Sequence, residues 1–160
     1  MEEKFPEESN KEIDGQMLLT NYADLYRSGN FSDFTITCSD GVEIPVHRII
    51  LAVNSPILKM MMSLGPQESG YTKLKLWDID GTVMDKILLF MYTQNYDEIS
   101  KYLKGLLYGA KKYQIDNLMA VCVNHMFDNL CVENAVEYFM LSNLHNIERL
   151  KQLCLTYIQM

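Results

Sequence analysis

The sequence predicts an α+β domain: a small, mostly three-stranded sheet flanked by a cluster of helices, with a C-terminal helical extension. Three observations predict it. Two short alternating runs surround Ser39-Asp40-Gly41, a third alternating run follows at Lys73-Leu74-Lys75-Leu76-Trp77, and the chain beyond residue 82 repeats apolar residues at helical spacing. Period-two alternation marks half-buried strands, because successive side chains point to opposite faces. A few strands followed by many helices is the pattern of a layered α+β domain.

Each element has a local reason. Leu18, Tyr22, Leu25 and Tyr26 fall on one face of a helix over about 16–28, with Gly29-Asn30 as its stop. Phe34, Ile36 and Cys38 form the inward face of the first strand, and Val42, Ile44 and Val46 that of the second. Asp-Gly favours a hairpin between them, since Gly takes positive φ without a Cβ clash. Pro45 cannot donate to a ladder, which predicts an edge strand or an irregular strand end. A helix near 47–53 is broken at Asn54-Ser55-Pro56, and a new one runs from Pro56 to about Ser63. Residues 64–71 read as a loop with Gly65, Pro66 and Gly70 as breakers. Thr82 to Tyr92 reads as a helix, with Asp80 or Thr82 as its cap. Tyr96-Asp97-Glu98 is either a short edge strand or loop.

Four apolar stripes follow. They are Tyr102/Leu103/Leu106/Leu107/Ala110/Tyr113, Leu118/Cys122/Met126/Leu130, Val132/Ala135/Val136/Phe139/Met140 and Ile147/Leu150/Cys154/Tyr157/Ile158. Each is predicted to face the core.

Composition narrows the function classes. The chain has 160 residues, 48% of them hydrophobic, enough to build a core. No run reaches the length of about 20 apolar residues that spans a bilayer, so no membrane is expected. The formal net charge is −7, and residues 1–15 hold six acids and two lysines. That balance opposes nucleic-acid binding, which depends on Lys and Arg neutralising phosphates. Residues 1–15 read as an acidic flexible tail and resemble neither a signal peptide nor a presequence, which predicts the nucleus or cytoplasm. Four scattered cysteines, Cys38, Cys122, Cys131 and Cys154, suit reduced thiols acting as small hydrophobes.

Candidate chemistry is sparse. His47, between hairpin and helix, is read as a packed imidazole bonded to its surroundings, not as a base for Cys38 or Asp33. His125 lacks the paired spacing of a zinc site with Cys122 and Cys131. His145 reads as a surface or capping group. No phosphate-binding loop, dinucleotide fingerprint or nucleophile elbow is present. No enzyme activity, cofactor or metal is predicted. Met60-Met61-Met62 reads equally as core filling or as an adaptable partner surface, and at least one of the three must be exposed.

The ordered motifs carry a family resemblance. Asp33, His47-Arg48, Ile50-Leu51-Ala52 and Ser55-Pro56 resemble the core of the BTB/POZ domain. Phe90-Met91-Tyr92-Thr93 resembles its segment of two apolar residues followed by Tyr-Thr-Gly. Leu106 to Tyr113 and Leu130-Cys131-Val132-Glu133-Asn134-Ala135 resemble two later helix motifs. The likeness covers roughly residues 17–160 and is greatest to speckle-type POZ proteins. It implies a BTB/POZ domain over 16–130 and an extension over 131–160 similar to a cullin-binding box.

The resemblance also implies function. The first helix, through Leu18, Tyr22, Leu25 and Tyr26, would pack against its copy in a homodimer. Asp33 and Arg48 would form a charged pair near a groove that in some transcriptional relatives receives corepressor peptide. Met61, Met62, Glu68 and Tyr92 would face the N-terminal region of cullin-3, with a substrate protein held elsewhere. Pro66 and Gln94 depart from the family pattern, where a larger apolar residue and Gly are usual. The alternative is a BTB transcriptional regulator, or a stand-alone BTB protein that pairs with larger relatives.

Overall fold

The computed structural model describes residues 15–65 and 70–159. The predicted tail is outside that span except for Gly15, and so are Pro66, Gln67 and Glu68. The described elements are α1 (Gly15–Ser28), β1 (Phe34–Thr37), β2 (Glu43–Val46), α2 (Arg48–Asn54), α3 (Pro56–Leu64), β3 (Lys73–Lys75), α4 (Gly81–Thr93), α5 (Ile99–Lys112), α6 (Asp116–Asp128), α7 (Ala135–Leu144) and α8 (Glu148–Ile158). This is the predicted α+β class.

The sheet has the order β2-β1-β3. β1 and β2 form the antiparallel hairpin, with Phe34 opposite Val46 and Ile36 opposite Ile44. Phe34, Ile36, Cys38 and Val46 are buried, as their alternation predicts, but Ile44 is only half-buried and Val42, grouped with them from the sequence, lies before β2 and is exposed. Pro45 sits on β2, an edge strand, where its missing N–H costs no ladder bond. β3 pairs parallel to β1, since the chain returns through α2 and α3 before adding it. The turn is stiffened by Asp40. Its carboxylate accepts from the N–H groups of Gly81 (3.0 Å) and Val42 (3.2 Å). These donors, Gly81 first, hold the Asp40 carboxyl below the usual carboxylate range.

The helices meet at short polar anchors. Ser55 is fully buried: its Oγ accepts from Leu58 N–H at 3.0 Å, capping α3, and donates to the Tyr113 carbonyl at 2.5 Å. Pro56 then takes the first turn of α3. Asp80 caps α4 by accepting from Val83 N–H at 3.0 Å. α4 is the central helix, with Met84, Ile87, Leu88, Phe90, Met91 and Tyr92 all buried. α5 lies close against it. A Cβ at Gly109 would sit 2.4 Å from Ile87 Cδ1, so any larger residue there would have to push the end of that side chain aside.

Two further expectations are corrected. The stripe predicted inward on α7 is mostly outward: Val132, Val136 and Met140 are exposed, while Ala135, Tyr138, Leu141 and Ser142 are buried. This helix is apolar nearly all round, so periodicity alone selects no face, and packing against α8 does. His145, expected as a surface or capping group, is the C-cap of α7, and it is buried there instead of lying at the surface. There its backbone N–H donates to Leu141 O at 3.0 Å. Tyr96, Asp97 and Glu98 form a turn into α5, and Glu98 binds Lys86 at 2.8 Å.

One buried node joins four segments. Tyr92 Oη accepts from His47 N–H at 2.9 Å and lies 2.7 Å from His47 Nδ1. His47 Nε2 lies 2.7 Å from the Asn30 carbonyl. The carbonyl requires the proton on Nε2, so Tyr92 donates to Nδ1. A Tyr92→Phe substitution strands a buried N–H and a ring nitrogen. It should lower stability by about 1–3 kcal/mol, read from the midpoint of urea unfolding at unchanged slope.

Candidate interaction surfaces

α1 presents two faces. Its inner face reaches the core through Ala23 and Tyr26. The Tyr26 hydroxyl donates to Asp85 at 2.7 Å, and its ring lies 4.9 Å from that of Tyr92. Its outer face leaves Met17, Leu18 and Tyr22 exposed, with Leu25 half-buried. The four residues singled out from the sequence therefore divide. Leu18 and Tyr22 form an outward patch, Leu25 borders it, and Tyr26 is used up within the protomer.

The sequence reading missed a second outward apolar group. Ile49 and Val53, one helical turn apart on α2, are 70% and 79% exposed. Phe31, between α1 and β1, is 92% exposed at φ +60. A left-handed conformation is unfavourable for a bulky side chain. α1 and α2 both rest on α4. Nothing in local periodicity marks Ile49 and Val53 as outward, since α2 carries apolar residues on every side.

Asp33 and Arg48 do meet, but not as an ion pair. The Asp33 carboxylate accepts from the backbone N–H of Arg48 at 2.8 Å, satisfying an orphan donor at the start of α2. The guanidinium turns instead to the Tyr71 carbonyl and stacks 4.3 Å from the centre of the Phe34 ring. Both residues line an open groove of about 750 Å³, with Ile49, Ala52, Lys59 and Tyr71.

The cullin-facing set also divides. Met60 is exposed, Met61 half-buried and Met62 buried. Leu64, at the end of α3, is exposed. Tyr92 is 4% exposed, because its hydroxyl closes the His47 node, so it presents no surface to a partner. Glu68 lies outside the described residues. Val136, Met140 and Leu144 recur every four residues on α7 as an exposed ridge, with Val132 exposed in the turn before it. It borders an open groove of about 800 Å³ that Lys104, Glu133 and Glu137 also line. Lys104 and Glu137 are 3.2 Å apart.

Few groups bear on chemistry. Ser100 Oγ lies 2.8 Å from His125 Nε2, a proximity the sequence did not suggest. The Asn129 amide nitrogen sits 3.4 Å from Nδ1. That same nitrogen donates to the His125 carbonyl at 2.8 Å. Among the described residues no cluster of His, Cys, Asp or Glu could hold a metal ion. Burial pushes the thiols of Cys38 up to about 11 and of Cys122 up to about 12, and raises that of Cys154 as well.

Residues 22–130 match the family model of the BTB/POZ domain, and the chain belongs to that family. The BTB domain of zebrafish PATZ1 is similar in structure. Its TM-score is 0.60 at 21% sequence identity, covering 72% of this chain and 92% of that one. At this identity the likeness speaks for the fold. The BTB domain is a protein-interaction module, generally a dimerising one, and protein interaction is in these terms the role of this chain.

Only Cys131 among the four thiols is not buried. Iodoacetamide applied to the native protein at neutral pH should alkylate Cys131 first, with Cys38, Cys122 and Cys154 protected until unfolding. Peptide mass spectrometry resolves the order.

Proposed function

We propose that this chain is a homodimeric adaptor that links a substrate protein to a cullin-3 ubiquitin ligase. The observation that carries the reading is the amount of large apolar side chain left uncovered on a folded domain. Met17, Leu18 and Tyr22 on α1, Phe31, and Ile49 and Val53 on α2 are all exposed. Fully burying one such side chain stabilises by roughly 1.5–3 kcal/mol. Pairing such a face with its copy about a two-fold axis would take these side chains out of water on both protomers, as an isologous interface does.

Cullin docking is supported by the outward Met60 and Leu64 of α3 and by the α7 ridge, both apolar and both on the partner-accessible surface. Glu68 enters through its position after α3 in the sequence. The mechanism is proximity: a dimer that holds ligase and substrate together raises the effective concentration of one for the other. The groove beside Arg48 supports a second reading, in which an extended peptide with apolar and acidic groups lies against Ile49, Ala52, Lys59 and Tyr71, as a corepressor would.

Sedimentation equilibrium should give twice the chain mass for wild type and the single mass for a Leu18→Asp/Tyr22→Asp variant that keeps its circular dichroism. A wild type that sediments as a monomer at ~10 μM removes the dimer.

Calorimetric titration with the N-terminal region of cullin-3 should show binding at ~1 μM or tighter, weakened at least about tenfold by Met60→Asp and by Glu68→Lys. No heat at any accessible concentration, with peptide captured in the Arg48 groove, would transfer the function to the second reading.

A further inference from the structure

We propose that His145 is an acid-sensitive latch that holds the α7–α8 pair on the domain only while its imidazole is neutral. The residue occupies the turn between the two helices, where Asn146 adopts a left-handed backbone at φ +57. α7 and α8 pack extensively on each other. The links from this pair to the rest of the described domain include the Lys104–Glu137 bridge and Arg149, whose guanidinium lies 5.6 Å from the Phe127 ring. A joint of this kind depends on what its buried groups tolerate.

His145 is 8% exposed, and its Nδ1 is buried without a hydrogen-bond partner. In the neutral ring with the proton on Nε2, Nδ1 carries only a lone pair. Protonation adds an N–H at Nδ1 that meets no acceptor, on a ring largely withdrawn from water. The charged group that bears on it from α5 is Lys111, of the same sign. From α8, Glu148 is engaged by Gln152 at 2.9 Å and by Lys151 at 3.7 Å. Arg149 turns to Phe127. On α7 itself Glu137 is taken by Lys104. No carboxylate is among the groups whose charge bears on the ring.

Burial first, and Lys111 second, depress the imidazole below its ordinary value near 6.5. The sign follows by linkage. The unfolded state binds the proton more readily, so the stability from His145 is present above pH 6.5 and is lost as pH falls through the depressed folded value. Detachment of the pair would take the α7 ridge with it. That consequence rests on the adaptor reading; the latch does not.

The test is amide hydrogen exchange on the full chain between pH 7.5 and 5.0, corrected for intrinsic rates, with the His145 ring followed by NMR. Protection of Leu150 to Cys154 should fall in wild type as pH is lowered through the depressed value, while β1 and α4 keep theirs. His145→Gln should flatten the dependence, and Lys111→Met should move the His145 midpoint upward towards 6.5. A His145 midpoint at or above 6.5, or the same loss of protection in wild type and His145→Gln, overturns the proposal. Should His145→Gln not fold, the Lys111→Met shift decides alone: no movement of the midpoint overturns it.

Discussion

One phenol organises this domain. Tyr92, on the central helix, closes both polar ends of His47 that face the core, while the other ring nitrogen of His47 holds the carbonyl of Asn30. The end of β2, the start of α2, the segment after α1 and α4 are thereby fixed to one point. Tyr26 packs its ring on Tyr92 and extends the chain of contacts to Asp85. A buried polar group without a partner costs far more than a made hydrogen bond gains. The node is therefore a constraint: its members cannot shift singly. It orients α1, and with α1 the outward placement of Leu18 and Tyr22.

The same rule acts with opposite sign elsewhere. Ser55 is buried with both roles of its hydroxyl filled, and it joins α3 to the end of α5. His145 is buried with one nitrogen unfilled. The first kind of residue makes the sheet and its helices one unit. The second leaves the C-terminal helix pair attached by packing and a few surface contacts. The domain is thus stiff at the hairpin and α4 and conditional at α7 and α8.

Function in this fold lies in what is left uncovered. Among the described groups that resemble reactive chemistry, His47 is spent on the node, and Ser100 and His125 lie within hydrogen-bond distance of each other. Buried thiols are held protonated. The uncovered residues are apolar and lie on α1, α2, α3 and α7. A rigid scaffold with apolar faces can hold partners at fixed separation, which is the physical content of an adaptor.

Much of this was legible in the residues. Alternation along Phe34–Cys38, the Asp-Gly turn, Pro45 on an edge, the break at Ser55-Pro56 and the Asp80 cap are all local chemistry, acting within a few residues of chain. So is the order of motifs that resembles the BTB/POZ domain. The burial of Tyr92 was not legible, because its reason is a histidine 45 residues away. Nor was the outward turn of Ile49, Val53, Val136 and Met140, since helices apolar on every side name no inner face. The sequence alone determined which segments become strand, turn and helix, because propensity and capping are short-range. Only tertiary structure decided which apolar faces meet the core and which remain for other proteins, because that depends on neighbours distant in the chain.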